Sequence, residues 1–548
     1  QPILPSCPDS AAAAGTASSF NVTASDADSI VNSAAIISGP WPAGFSLGSF
    51  SPAGAEGGTA TQQIEVGAGV SAGNYTLNLQ WANDEAQQAS CAIKVSVSGL
   101  ATIPAIQGSG ARSPLEGASV ITRGVVTKLI NNGFYLQDKL GDNDDQTSDG
   151  IFVFTSSAPT VTPGDEIQLS GKVTEYSVSS SAASLANPLT ELTTVNGIIV
   201  LSSGNQINPV EIDMETVGSL ERFEGMLVTL RGPLMVQQTN FVGPYGQLTL
   251  AAGGRTLNPT NILRPGPEAI ALGNANRARS IVLDDGSSLT NPNPTPYLAA
   301  DKTVRAGDTV GDVTGVIDFG PATASASGTL SYKIHPLSAP LITRSNLRTA
   351  APPPVGGNVR VASSNVLNFF TTFTNGDTAD GLSGQSCLSG CRGADNLIEF
   401  NRQRTKILAS LVALNADVVA LMEIQNNGNT AVNNLVQGLN GLMGAGTYAS
   451  APLPPTTGTD AIRLALIYKP AKVAPYGPAL SDADPVNNRP TFAQGFAAPN
   501  GERFAVMVNH LKSKGCGGAS GANADQGDLQ GCFNAQRKDQ AQRLLTWL

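Results

Sequence analysis

Charge is scarce in this chain, and histidine is scarcer. Only 14% of the 548 residues are Asp, Glu, Lys or Arg, and His335 and His510 are the only histidines. With no cysteine tetrad at ligand spacing, that leaves little basis for a structural zinc site. Aromatic residues make up 5% and the formal net charge is -10, a poor composition for a basic groove that stacks bases along the whole molecule. No run of about 18 apolar residues occurs, so the sequence offers no membrane-spanning helix. There is no initiator Met and no signal peptide; the chain begins at Gln1, as a mature or trimmed product would, or a fragment.

What is abundant is glycine, 59 residues, and proline, 35, with Ser, Thr and Asn covering the surface in place of charge. That is the composition of a secreted, β-rich protein. The length exceeds one hydrophobic core and predicts three or four domains. The six cysteines fall as Cys7 with Cys91, Cys387 with Cys391, and Cys516 with Cys532, each pair inside one expected domain. An even, locally paired set predicts disulfides and an oxidising compartment, with buried free thiols as the alternative. The negative charge is unevenly placed. From Gly356 onward there are 15 Lys and Arg against 13 Asp and Glu, leaving 17 against 29 for the preceding part.

The expected architecture is multidomain. Residues 1–99 alternate polar and apolar in segments such as TQQIEVGAGV and NYTLNLQWAN, which predicts an immunoglobulin-like or cadherin-like β-sandwich. The stretch ATIPAIQGSGARSPLEG reads as a linker into a second β region, 100–206, whose short strands fit a small OB-like barrel. A further β-rich module covers 207–349. Within these, PGDEIQLSGKV at 163–173 resembles AGDTVGDVTGV at 306–316, so the two β modules are either related or share ordinary turn-strand grammar. AAPPPVGGN at 350–358 marks a boundary, after which 356–548 turns to α/β patterning. There Asp395 is the expected N-cap of a helix over 395–415, with Leu397, Phe400, Ile407, Leu411 and Leu414 as its apolar stripe. Arg402, Arg404 and Lys406 fall off that stripe and read as solvated surface in preference to phosphate contacts.

Three strand tips in this last region carry candidate chemistry. Glu423 ends the apolar run VVALM, where a carboxylate can hold Mg²⁺ or Mn²⁺ with water and phosphate oxygens completing the shell. Taken alone it is more often a strand-end carboxylate facing water. Asn365 follows VRVASS, where an amide can bond a phosphate oxygen or orient a neighbour, or simply close an Asx turn. His510 closes FAVMVNHL and is followed by Lys512 and Lys514, a cationic tip suited to phosphoryl oxygens. A lone histidine is usually structural; the order and common placement of the three carry the weight. A separate acidic stretch, GDNDDQTSDG at 141–150, offers Asp142, Asp144, Asp145 and Asp149 as oxygen ligands for Ca²⁺. Its spacing is not that of an EF-hand, and an exposed hairpin connection is preferred.

With these words in order, VRVASSNVLNFF, RGADNLIEFNRQRTKILASLVALNADVVALMEIQNNG, DAIRLALIYKP and VNHLKSKGCGG, the chain resembles the endonuclease/exonuclease/phosphatase superfamily. More closely it is similar to the multidomain extracellular nucleases of Gram-negative bacteria of the ExeM/NucH type, over roughly 100–548. The resemblance implies an α/β two-layer sandwich from 356 onward, incomplete at its C-terminal side. It implies Glu423 as metal ligand, Asn365 and His510 as catalytic groups on the phosphate, and Asp460, Tyr468 and Lys512 as substrate contacts. The family's later Gly-Asp-x-Asn segment and terminal Asp-His pair have no counterpart here, so the 548-residue product is expected to be inactive until extended. The implied reaction is metal-assisted attack of water on a phosphodiester, with extracellular DNA as the expected partner. A phospholipid, sphingolipid or inositol-phosphate substrate within the same superfamily, or a non-catalytic surface protein, are the alternatives.

Overall fold

The computed structural model describes residues 1–14, 17–37, 39–321, 330–379 and 392–548. It divides into two compact units, Gln1–Leu257 with Asn274–Asn346, and Asn258–Gly273 with Leu347–Leu548. The protein is multidomain and strand-rich, with several separate sheets. Among the described residues no helix is long and apolar enough to cross a membrane. Cys387 and Cys391 lie outside the described residues.

In the first unit the chain begins as two four-stranded sheets. One orders Leu4–Ser6, Ser18–Ser25, Thr59–Val66 and Phe45–Ser51; the other orders Ser10–Ala13, Gln88–Ser98, Gly73–Asn83 and Val31–Ile36. Alternation decides which face is buried. Ala60, Ile64 and Val66 turn inward while Thr59 and Glu65 face solvent, and Leu77, Leu79 and Trp81 do the same from the other sheet. A disulfide joins Cys7 to Cys91.

A closed five-stranded barrel follows, ordered Gly133–Gln137, Gly150–Phe154, Leu189–Ser202, Glu166–Tyr176 and Ser119–Ile130. The segment read as a linker is no free connector. Thr102 caps a short helix, Ile103–Gln107, by accepting from the Ala105 N–H, and Ile103 and Ile106 are buried in the barrel core beside Phe134, Ile151 and Leu192. Two isoleucines spaced by three residues fill the barrel mouth, a role that their Gly- and Ser-rich flanks disguise.

The third element is a nine-stranded sheet running from Val210–Ile212 at one edge to Ile342–Thr343 at the other. Its Gly-Asp turn repeats the barrel's, bond for bond. Gly164 and Gly307 both take left-handed φ, +92° and +96°. The Gly164 N–H donates to Val126 O and the Val126 N–H to Asp165 O; likewise Gly307 donates to Val236 O and Val236 to Asp308 O. Each aspartate then accepts the amide three residues upstream, from Thr162 and from Arg305, both at 2.9 Å. A glycine at positive φ followed by a turn-closing carboxylate is the shared device. Asn258–Gly273, which lies within the stretch 207–349, groups with the second unit. Gly273 has no side chain there; a Cβ on it would stand 3.2 Å from Leu529 Cδ1.

Barrel and nine-stranded sheet meet through a buried polar junction. The Thr190 N–H donates to Glu224 Oε1 at 3.1 Å, the Ser148 hydroxyl to Glu224 O at 2.5 Å, and the Leu227 N–H to Gln137 Oε1 at 2.8 Å. Around them pack Tyr135, Phe152, Leu189, Leu227 and Val316. Burial, then the nearby Asp318, pushes the Glu191 carboxyl up to about 7 from its ordinary 4.5. Burial, then Glu221, likewise raises Glu224. A raised carboxyl is protonated in the fold before it is in the unfolded chain. Its stabilising contribution is therefore complete below about pH 4.5 and is lost as pH rises through about 7. Thermal unfolding of the first unit is expected at a higher temperature at pH 5 than at pH 8, with Glu191→Gln flattening the difference. An unchanged slope in that variant would remove Glu191 as its cause.

In the second unit, the parallel strands Val361–Phe369 and Val418–Gln425 pair from Val361 with Val418 to Asn365 with Met422. Val418–Gln425 also pairs antiparallel with Ile462–Tyr468. Helices Leu397–Leu414 and Thr430–Met443 cover one face through Phe400, Leu408, Leu411, Leu435 and Leu439. On the other face Val418, Leu464 and Leu466 pack with Phe492, Phe496 and Val508, which come from a three-stranded sheet. That sheet is ordered Ala474–Asp482, Thr491–Ala497 and Arg503–Val508.

The helix departs from its expected cap and stripe. Asn396 is the cap, accepting from the Ile398 and Glu399 N–H groups, while Asp395 takes the Thr374 hydroxyl and donates its own N–H to Glu399. Leu397, the first residue of the helix, is exposed, while Phe400 in the same turn is buried. Arg404 is neither solvated surface nor a phosphate contact: its guanidinium straps the two helices together through Asn434 Oδ1 and Asn434 O.

Candidate functional site

Both strands that lead into the site break register there. Asn365 pairs with Met422, and the next pair is Phe369 with Ile424; on the other side, pairing jumps from Leu421 to Ile424. Bulges of this kind re-aim side chains. Leu367, Asn368 and Glu423 all adopt left-handed φ, +54°, +53° and +66°. Non-glycine residues hold such angles only where their surroundings over-determine them.

The bonds that hold them converge on Glu423. Asn365 Nδ2 donates to Glu423 Oε1 at 2.8 Å and the Asn368 N–H to Oε2 at 3.0 Å, so each carboxylate oxygen is fixed by one donor. His510 Nε2 lies 3.7 Å from Glu423 Oε1. Asn365 Oδ1 in turn accepts from the Leu367 N–H at 2.8 Å. The three strand-tip residues singled out in the sequence are thus brought into one cluster.

Beside them stands a basic pair that the sequence reading passed over. Arg489 Nε is 3.2 Å from Asp460 Oδ2, and Arg392 Nη2 is 3.7 Å from Asp460 Oδ1. Burial first, then the Arg489 charge, lowers the His510 pKa below its ordinary 6.5, against the opposing pull of Glu423 and Asp460. His510 Nδ1 is buried and has no hydrogen-bond partner among the described residues. The signal for Arg489 was present but indirect. It precedes the strand Thr491–Ala497, and the register that pairs Phe492 with Val508 carries Arg489 toward residue 510.

Of the expected substrate contacts, Asp460 joins the cluster and the other two do not. Tyr468 pairs with Val418, at the start of the Glu423 strand, and its ring packs 5.6 Å from Phe496. At about 3.3 Å per residue that is roughly 15 Å from Glu423. Alternation along IRLALIY says which face Tyr468 takes, not which end of the strand holds the site. Lys512 lays its ammonium 4.5 Å from the Phe533 ring centroid and donates its N–H to Gln540. It therefore braces the loop closed by the Cys516–Cys532 disulfide.

For a cation, Glu423 supplies one fixed carboxylate with lone pairs to spare. Mg²⁺ and Mn²⁺ suit such a site, because water and phosphate oxygens fill most of their coordination. Among the described residues no group of three or more His, Cys, Asp or Glu side chains is arranged to hold a metal. In the 141–150 loop, Asp142 accepts from the Asp144 N–H and the Thr147 hydroxyl, and Asp144 from the Gln146 N–H. Asp145 pairs with Arg222. Burial, then Asp142 and Asp138, raises the Asp149 carboxyl. Asp142 and Asp144 thus close the loop's own turns.

No family model matches the chain, and no curated protein does. Among solved structures, the secreted serine protease VesC from Vibrio cholerae aligns at 8% identity with a TM-score of 0.18, over 37% of this chain and 44% of that one. This chain thus spans less than half of VesC, and a likeness so low carries no weight for fold or activity.

Proposed function

We propose that this protein is a secreted, divalent-metal-dependent phosphodiesterase that hydrolyses nucleic acid, extracellular DNA above all. The observation that carries the reading is the convergence of His510 and Arg489 with Asn365 and Glu423, the latter two at bulges in their strands. In this proposal the second unit is an α/β two-layer sandwich of the endonuclease/exonuclease/phosphatase type. The front sandwich is then immunoglobulin-like or cadherin-like and the barrel OB-like, together holding the enzyme at a surface or near its substrate. The disulfides are compatible with secretion.

A Mg²⁺ or Mn²⁺ on Glu423 would supply polarisation of a phosphoryl oxygen. The chain's own groups do the rest of the positioning. Asn365 fixes Glu423 Oε1, and the Asn368 N–H fixes Oε2. Arg489, steadied by Asp460, offers a guanidinium to the phosphate anion, where charge-assisted hydrogen bonds are strongest. The lowered pKa of His510 favours its neutral imidazole, which can accept a proton and then carries the resulting positive charge beside the phosphate. The near-balanced charge of residues 356–548, against the acidic front, favours an anionic substrate at this end.

The test is side-by-side turnover of plasmid DNA, RNA and sphingomyelin by the protein expressed from its complete coding sequence, with Mg²⁺ and with EDTA. Mg²⁺-dependent DNA cleavage is expected. Turnover of sphingomyelin alone would replace the nuclease reading with a lipid one, and no turnover of any substrate would leave a surface protein.

A further inference from the structure

Leu367 departs from two rules at once. Its side chain is 72% exposed, and its backbone sits at φ +54°, where glycine or asparagine is the ordinary choice. An exposed leucine alone needs no explanation, and neither does a strained polar residue. The combination does, because the strain is held from every side. The Leu367 N–H donates to Asn365 Oδ1, while its carbonyl accepts from Gln403 Nε2 at 2.7 Å, and the same amide reaches Val366 O at 3.2 Å. One residue on, the Asn368 N–H is bound to Glu423. Within this three-residue bulge Val366 is buried in the core and Asn368 serves the carboxylate, so Leu367 is the residue turned to solvent.

We propose that Leu367 is an apolar wedge that enters the base stack of bound DNA next to the phosphate held by the Asn365–Glu423–His510 cluster. The proposal rests on the nucleic-acid reading above. Leu367 is two residues from Asn365 and one from Asn368, and consecutive Cα atoms are about 3.8 Å apart, so its side chain borders the phosphate position. Aliphatic wedges between base steps unstack them and bend the backbone outward. Here that would present the diester to Glu423 and set a preference for easily unstacked steps. The rigid bulge keeps the wedge from folding back on the protein.

The experiment uses a short duplex with 2-aminopurine at alternate positions of one strand and phosphorothioate linkages, titrated in Mg²⁺ while anisotropy and 2-aminopurine fluorescence are read together. The wild-type protein should raise the fluorescence as it binds. Leu367→Ala and Leu367→Asn, which keep a Cβ or suit the left-handed backbone, should bind about tenfold more weakly and leave fluorescence flat. Leu367→Met should restore both. Circular dichroism and thermal unfolding should match wild type in all three, since the residue is mostly exposed. Binding without a fluorescence rise, or an equal rise in Leu367→Ala, overturns the wedge and leaves the nuclease reading intact. Absence of any DNA binding by wild type overturns both. Sedimentation with sphingomyelin vesicles that is lost in Leu367→Ala, with DNA signals unchanged, assigns Leu367 to a lipid and also overturns the wedge.

Discussion

Glu423→Gln should lower the proposed phosphodiester hydrolysis by about 10²–10³-fold with the fold intact. The substitution preserves shape, which makes the chemistry of the loss readable. Both carboxylate oxygens already accept, one from Asn365 Nδ2 and one from the Asn368 N–H. Glutamine has a single acceptor oxygen, so one of those donors would face an NH₂ group, and the bulge at residues 366–368 would lose one of its holds. The negative charge that a divalent cation needs disappears at the same time. Initial rates at several Mg²⁺ concentrations separate the two effects. Loss of charge alone would be partly recovered at high Mg²⁺, whereas misorientation would not. Wild-type rates in Glu423→Gln would remove Glu423 from the site.

Gly150→Ala should cost about 3 kcal/mol or more, by a route unrelated to the site. A Cβ on Gly150 would stand 2.2 Å from Gly225 C, 2.3 Å from Gly225 O and 2.4 Å from Met226 N. These are backbone atoms with no rotamer to yield. The barrel strand Gly150–Phe154 would be forced off the turn at Gly225, itself held at φ +77°. The junction bonds from Thr190, Ser148 and Gln137 would go with it. Limited proteolysis should then cut between the barrel and the nine-stranded sheet, and the first unit should unfold at lower temperature. Gly110→Ala is the control, because a Cβ there meets nothing within 4 Å and its φ lies outside the left-handed region. It should stay within about 0.5 kcal/mol of wild type. Equal stability of the two variants would mean that the Gly150 contact relaxes freely.

Much of the strand content was legible because period-two alternation is a local signal: TQQIEVGAGV buries Gln62, Ile64 and Val66 as its pattern requires. The meeting of Asn365, Glu423 and His510 was legible from their order and common placement at strand ends, with Glu423 alone closing a wholly apolar run, VVALM. What escaped depends on partners distant in sequence. Asp395 and Asn396 are both good caps, and Thr374 decides between them by occupying Asp395. Ile103 and Ile106 look like two apolar residues in a linker until a barrel exists for them to fill. Tyr468 has a plausible side chain at the wrong end of its strand, and only the register against Val418 reveals it. The left-handed angles at Leu367 and Glu423 come from bulges in two pairings, and no local propensity announces those.

The Cys7–Cys91 disulfide spans 84 residues, which fully extended would measure roughly 280 Å. A pull exerted between the first residues of the chain and the entry to the barrel at residue 100 therefore runs along Gln1–Cys7, across one sulfur bridge, and out through Cys91–Ser98, most of the final strand. The intervening sandwich carries no tension. Even with its hydrogen bonds broken it could not pay out that length. Mechanically, the domain is a tether of nearly fixed reach, and only a reductant can lengthen it.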